Sequence, residues 1–269
     1  MTILTYKLLL GFFGSSLIAF FSYVYQLLTQ SGVFSLILIG TLVCGFGSWP
    51  TWILLILLFG SSGCINFIKK AASLADKDII SEKNAQRDGW QILANGLPAV
   101  VSLILFYYTN NRLFLIGYVS AISGAAADTW ASEIGILSKS PPFSILTFKP
   151  IPSGLSGGIS FLGTFASILG SLLISITFWL LYDSDIAFTA NFVFVPIICG
   201  FVHSLIDSFL GAAFQVKYRC SICGQVTERS EHQQQPTTKI SGISWLNNDW
   251  VNVISGCLTV LLSWFLLSF

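Results

Sequence analysis

The sequence predicts an all-α polytopic integral membrane protein, with seven or eight transmembrane helices and an internal duplication, and three observations carry that prediction. Of 269 residues, 54% are hydrophobic and 9% charged, against roughly 25% charged in a soluble domain. Several apolar stretches reach the roughly 18 to 20 residues that a helix needs to cross a hydrocarbon core. The basic residues collect in three polar loops on one side of the membrane, as the positive-inside rule requires. The weak period-two alternation of a closed β-barrel is not seen. A formal net charge of +1 gives no reason to expect nucleic acid.

The single transmembrane domain, residues 1–269, divides into spans near 5–28, 31–47, 49–68, 91–109, 113–137, 159–182, 191–216 and 249–269. The first follows Lys7 as a secretory signal would, but its apolar run is too long for a signal core and no small-x-small cleavage site follows. The second is short; a re-entrant path there would leave seven spans. A basic loop at 69–90 carries Lys69, Lys70, Lys77, Lys83 and Arg87. A Gly/Ser/Pro-rich loop at 138–158 carries Lys139 and Lys149, and a third loop at 217–248 carries Lys217, Arg219, Arg229 and Lys239. Only Lys7 and Arg112 of the 13 basic residues lie elsewhere. These loops are therefore expected to be cytoplasmic. The opposite loops are short, with Asp183 and Asp185 in one of them.

Cys44, Cys64, Cys199 and Cys257 lie in apolar runs, where cysteine packs as a small hydrophobe. Cys220 and Cys223 share a basic loop and are expected to face a reducing compartment rather than pair as a structural disulfide. With His232 they offer three ligands where structural Zn²⁺ takes four, so free thiols are the default and zinc the alternative.

Two aspartates interrupt apolar helices: Asp128, before Thr129 and Trp130, and Asp207, before Ser208 and Phe209. A charged carboxylate near a bilayer centre costs roughly 2.5–3.5 kcal/mol on insertion scales, so such residues mark function by default. At 100° per residue, Ala121, Gly124, Ala125, Ser132 and Gly135 share the face of Asp128, while Gly200, His203, Ser204 and Gly211 share that of Asp207. Stripes of small and polar residues face protein or a cavity rather than lipid; hydrogen bonding between helices is the plain structural alternative. The matching stripes point to a duplication that brings both acids to one site, where Mg²⁺ would take one or two carboxylates and complete its shell with water and phosphate. Glu133, about 140° round the helix from Asp128, is either a third ligand or a snorkelling end residue.

Lys70 and Arg87 are the expected phosphate contacts of the first loop, where topology or anionic lipid is the plain reading of any single cation. Gln91 and Asn95 follow at the start of the next helix. In the second loop, Lys149 precedes Ser153, Gly154, Gly157 and Gly158. Glycine lets backbone N–H groups approach an anion at a helix N-terminus, so this turn is an expected phosphate cradle, though with no Gly-Lys-Ser/Thr it is not a Walker A loop. Asn248, Asp249 and Asn252 return polar groups to the mouth of the last helix. Trp90 and Gly96 recur at the same spacing as Trp250 and Gly256, in line with duplication.

The run from Asp128 to Glu133, the Lys149–Gly158 loop, the Arg87–Gly96 segment, and Asp207–Ala212 with the later Asn248–Asn252, in that relation to the spans, resemble the membrane family numbered 92 among domains of unknown function. That family includes transmembrane protein 19 and plant phytyl-phosphate kinase, and the resemblance covers nearly the whole chain. It implies phosphoryl transfer from a nucleoside triphosphate, CTP in the plant enzyme, to an isoprenoid monophosphate, giving the diphosphate. The cysteine pair resembles prokaryotic members, and a bacterial plasma membrane is the expected location. The residues are compatible with that chemistry: a lipid monophosphate has a second pKa near 6 and is already largely an anionic nucleophile at neutral pH. An ion-coupled secondary transporter, with carboxylates at the midplane of duplicated halves, and another lipid phospho- or nucleotidyltransferase are the alternatives.

Overall fold

The computed structural model describes residues 2–71, 86–182, 190–232 and 234–268, with side chains as far as Lys69 in the third helix. Lys77, Lys83, Asp183 and Asp185 lie outside the described residues. The helices are α1 (Ile3–Val24), α2 (Gln30–Phe46), α3 (Trp49–Ala71), α4 (Gly89–Thr109), α5 (Arg112–Gly135), α6 (Phe161–Leu181), α7 (Asn191–Ala213) and α8 (Asn248–Leu267). Each agrees with an expected span to within a few residues. Polar caps set several of the starts: Asp88 accepts from the Gln91 N–H (2.9 Å), Ser160 from Gly163 (3.0 Å) and Asn247 from Trp250 (3.2 Å).

Seven of these helices are long and apolar enough to cross a membrane, which makes the chain an integral, multi-pass membrane protein. α2, the short one, lies antiparallel to α1 along almost its whole length. Gly45 meets Leu8, Gly11 meets Thr41 and Cys44, and the Lys7 Nζ donates to the Gly47 carbonyl at 2.9 Å where α2 ends. It therefore returns through the bundle rather than looping back. Its 17 residues span about 25 Å, slightly less than the roughly 30 Å of a hydrocarbon core. The described parts of the three basic loops consequently share one end of the bundle with the turn between α1 and α2.

α5 is the central helix, and every residue from Leu115 to Thr129 is buried. Its sequence explains why: where α1 presents Phe12, Phe13, Phe20 and Phe21 outward, α5 carries Ala, Gly and Ser, which let neighbouring backbones approach closely. Gly124 lies directly under His203 of α7, and Gly170 of α6 lies on Ala126 and Ala127. α5 also bonds to the backbone of α7 near its internal proline, the Ser123 hydroxyl donating to the Pro196 carbonyl at 2.9 Å.

Outside the bundle, short antiparallel strands order the loops. β1 (Phe143–Ser144) pairs with β2 (Gly158–Ile159). β3 (Lys217–Arg219) lies between β4 (Val226–Thr227) and β7 (Thr238–Ser241), while β5 (Glu231–His232) pairs with β6 (Gln235–Pro236). Strands of two to four residues leave no periodic trace in a sequence, and none was expected.

Candidate functional site

Arg87 is set in place by its backbone before its side chain does anything. Its N–H donates to the Leu27 carbonyl (2.9 Å) and its carbonyl accepts from the Thr29 N–H (3.0 Å), which pins the start of α4 to the α1–α2 turn. The guanidinium then reaches inward. Nη2 donates to Ser62 of α3 (2.7 Å) and Thr129 of α5 (3.4 Å), and the group lies over the Phe59 ring at 5.7 Å. Nη1 is buried without a hydrogen-bond partner among the described residues. Burial lowers the proton affinity of Arg87, while the carboxylates of Glu133 and Asp128 oppose that shift. A guanidinium stays charged under these conditions, so the site holds a buried cation with donor capacity to spare.

Glu133 is held by α3. It pairs with Lys69 at 3.2 Å, the two side chains being 18% and 6% exposed, and accepts from Asn66 Nδ2 at 3.4 Å. Asp128 behaves differently. It is 8% exposed and accepts no hydrogen bond among the described residues, yet it acts electrostatically on both Arg87 and His203. Asp207 accepts from the Ser255 hydroxyl of α8 at 2.9 Å.

Helix register puts the two aspartates in one layer. α5 and α7 run in the same direction and touch where Gly124 meets His203, whose Nδ1 pairs with Thr259 of α8 at 2.8 Å. One turn nearer the basic end, the same three faces carry Asp128, Asp207 and Ser255. One and two further turns along α8 come Asn252 and Asn248, both buried. Among the described residues neither end of the Asn252 amide has a partner, nor does the Asn248 Nδ2, nor the His203 Nε2. Buried polar groups left unpaired cost roughly 1–3 kcal/mol each, and those between α5, α7 and α8 have capacity to meet the polar atoms of a ligand.

Beside Arg87, a narrow slot runs between α1, α2 and α3. Ile18, Leu36, Trp52 and Leu55 line its apolar length, and Ser62, Asn66 and Arg87 close its polar end. Arg87 thus stands between an apolar slot and the layer of acids.

The other expected residues are placed as follows. Lys70 lies in the last turn of α3, and its side chain lies outside the described residues. Lys149 is exposed and its ammonium group has no partner among the described residues. Ser153, Gly154, Gly157 and Gly158 form a tight turn, with φ of +87° at Gly154 and +89° at Gly157, where only glycine fits easily, and Gly157 is pressed against Ala212 of α7. The turn does hold an anion, the chain's own Glu228, whose carboxylate accepts from the Ser156 N–H at 2.6 Å. At the N-terminus of α6 the Ser160 side chain caps the Gly163 N–H. Asn95 Nδ2 donates back to the Gln91 carbonyl at 2.9 Å, and Asp249 sits in the first turn of α8. Cys220, Cys223 and His232 bring their ligand atoms within 4.8 Å of one another. The backbone N–H of Cys223, followed by the His232 ring, holds the Cys220 thiol down at about 6.

The sequence reading missed Ser62, Asn66, Lys69, Thr129, Ser255 and Glu228. Ser62, Asn66 and Lys69 follow one helical face of α3, and Ser255 and Thr259 continue the face of Asn248 and Asn252. Those two polar stripes were the signal available. Glu228 left none.

Trp90 and Trp250 open α4 and α8, which run in one direction, and Asp128 and Asp207 lie at matching depth in parallel helices. Their order along the chain is reversed, Trp before Asp in α4–α5 and Asp before Trp in α7–α8. Fold and site together define a polytopic membrane protein whose ionic chemistry is gathered at one end of a helix bundle. The chain belongs to the integral membrane protein family DUF92, which it matches over residues 13–260. It is 30% identical to Protein PGR of Arabidopsis thaliana across 96% of this chain and 95% of that protein. It is 36% identical to an uncharacterized membrane protein of Methanocaldococcus jannaschii across 65% of this chain and 68% of that one. To Protein VTE6, chloroplastic, of Arabidopsis thaliana it is 26% identical across 85% of this chain and 62% of that protein. No solved structure matches it.

Proposed function

We propose that the chain is a membrane-embedded kinase that moves a phosphoryl group from a nucleoside triphosphate, CTP by family resemblance, to an isoprenoid monophosphate, releasing the nucleoside diphosphate and leaving an isoprenoid diphosphate. The observation that carries this reading is the position of Arg87. Its guanidinium faces the polar end of the apolar slot through Ser62 and the Asp128 layer through Thr129, with Nη1 still unpaired. In that arrangement the prenyl tail occupies the slot among Ile18, Leu36 and Trp52, and the phosphate lies against Arg87. An oxygen of the lipid phosphate, already anionic, bonds to the γ-phosphorus while the bond from that phosphorus to the β-bridging oxygen breaks.

Such transfer needs positioning and neutralisation of charge more than a general base. The donors present fit Mg²⁺, which takes hard oxygen ligands: an Asp128 carboxylate that accepts no hydrogen bond, the Asp207 carboxylate, and the unpaired Asn252 amide oxygen. Bound there, Mg²⁺ would neutralise charge on the transferring phosphate oxygens. Glu133, held by Lys69 and Asn66, supports the wall of the site instead of joining that set. Under the positive-inside rule the basic end faces the cytoplasm, where nucleoside triphosphates are found. A carrier is the less favoured alternative, because α5 and α7 continue as helix through Asp128 and Asp207, whereas carrier sites are usually built from interrupted helices. The test is purified protein with labelled CTP or ATP and a panel of prenyl monophosphates of different length; if no pair yields a diphosphate, the proposal fails.

A further inference from the structure

The loop between α7 and α8 carries chemistry that phosphoryl transfer does not use. At the end of β3 the chain turns sharply from Cys220 to Gln225. The Cys220 N–H donates to the Gln225 carbonyl and the Gly224 N–H to the Cys220 carbonyl, both at 3.0 Å, with Gly224 at a φ of +71°. This knuckle presents Cys220 and Cys223 on the same side. The β5–β6 hairpin, turned by Gln234 at a φ of +60°, brings His232 up to them. Cys223 Sγ and His232 Nδ1 are 3.6 Å apart, and all three ligand atoms lie within 4.8 Å of one another. Ligand atoms on a tetrahedral zinc, at about 2.0–2.3 Å from the metal, are themselves about 3.5 Å apart. One pair already has that spacing, and a shift of about 1 Å closes the rest.

We propose that Cys220, Cys223 and His232 form a Zn²⁺ site with three protein ligands and an exchangeable fourth position, and that the metal locks the β5–β6 hairpin to the knuckle. The donor set selects the metal: thiolate and imidazole favour zinc over Mg²⁺ or Ca²⁺, which take oxygen. Among the described residues no fourth His, Cys, Asp or Glu joins the cluster, so water completes the tetrahedron, as in zinc sites that keep an open position. Both cysteines bind as thiolates, and any proton still on sulfur goes to solvent.

The consequence reaches the bundle. Glu228 lies on the stretch bracketed by the ligands, and its carboxylate holds the Ser156 N–H of the turn that packs on α7. Fixing the hairpin fixes Glu228, and through it the turn beside the end of the Asp207 helix.

The experiment uses the full chain in detergent, purified without chelator. Elemental analysis is expected to find about one zinc per chain. Co²⁺ added to stripped protein is expected to give tetrahedral d–d bands with thiolate charge-transfer absorption. Cys220→Ser should bind at least about tenfold more weakly, a ligand mattering no less than the outer-shell partners that cost 10–100-fold. Should that variant fail to fold, judged by its helical circular dichroism, the exposed Cys223→Ser replaces it. Limited proteolysis should cut the 217–248 loop faster once the metal is chelated. Absence of stoichiometric metal and of the cobalt spectrum, metal retained undiminished in the cysteine variant, or a Cys220–Cys223 disulfide in the native protein would each overturn the site. An unchanged cleavage rate after chelation would overturn the lock. None of these readouts depends on kinase activity.

Discussion

Replacing Arg87 with methionine tests the proposed site most directly, because the substitution keeps the chain path and removes only the cation. The backbone bonds to Leu27 and Thr29 do not involve the side chain, so the start of α4 stays pinned. Folding loses the bonds to Ser62 and Thr129, and regains part of that by no longer burying a charge. The loss in catalysis should be far larger. A guanidinium donates to phosphate through charge-assisted bonds worth roughly 1.5–3 kcal/mol each, and a fork engages two oxygens. Losing about 3 kcal/mol of transition-state stabilisation lowers kcat/KM by about 10²-fold. Arg87→Lys keeps the charge and loses the fork, so it should fall between the two. The assay is initial-rate transfer of labelled phosphate to a prenyl monophosphate in detergent micelles, with thermal unfolding measured alongside. If Arg87→Met keeps kcat/KM within about threefold of the parent while folding normally, Arg87 does not hold the reacting phosphate and the slot-to-acid geometry loses its link.

Other substitutions probe the remaining parts. Asp128→Asn should cut kcat by about 10²–10³-fold, yet raise the unfolding temperature, because a buried charge with no hydrogen bond is removed; a variant that loses stability together with activity would make Asp128 a structural residue. Gly60 lines the slot and has nothing within 4 Å of where a Cβ would stand, so Gly60→Leu should fold at least as well as the parent and raise KM for long prenyl monophosphates while sparing short ones. An equal effect on all chain lengths would place the tail elsewhere. Lys217, half-buried, has its pKa lowered by burial, with Glu228 opposing. The unfolded chain therefore binds more protons than the folded one between that lowered value and the ordinary value of about 10.5, and stability should rise with pH across the window. Thermal unfolding of Lys217→Met against the parent from neutral to alkaline pH checks this; parallel curves would refute it.

The spans, the direction in which the chain threads them, and the gathering of basic loops at one end were all legible in the residues. Hydrophobic transfer is a local, additive cost, so a run of 20 apolar residues declares itself whatever its neighbours do. The two aspartates were legible for the same reason, since a carboxylate among apolar residues is conspicuous wherever it packs. Which groups meet them was not. Lys69 rather than another loop cation reaches Glu133, because α3 ends with that face turned toward α5. Nothing in the 153–158 turn announces that Glu228, 72 residues away in sequence from Ser156, accepts from its backbone. Arg87 becomes the link between slot and acids only once the α1–α2 turn has fixed its backbone. Spacing on one helix tells which residues share a face, but helix rotation and the choice of neighbour come from packing summed over the whole bundle. Those decided the site.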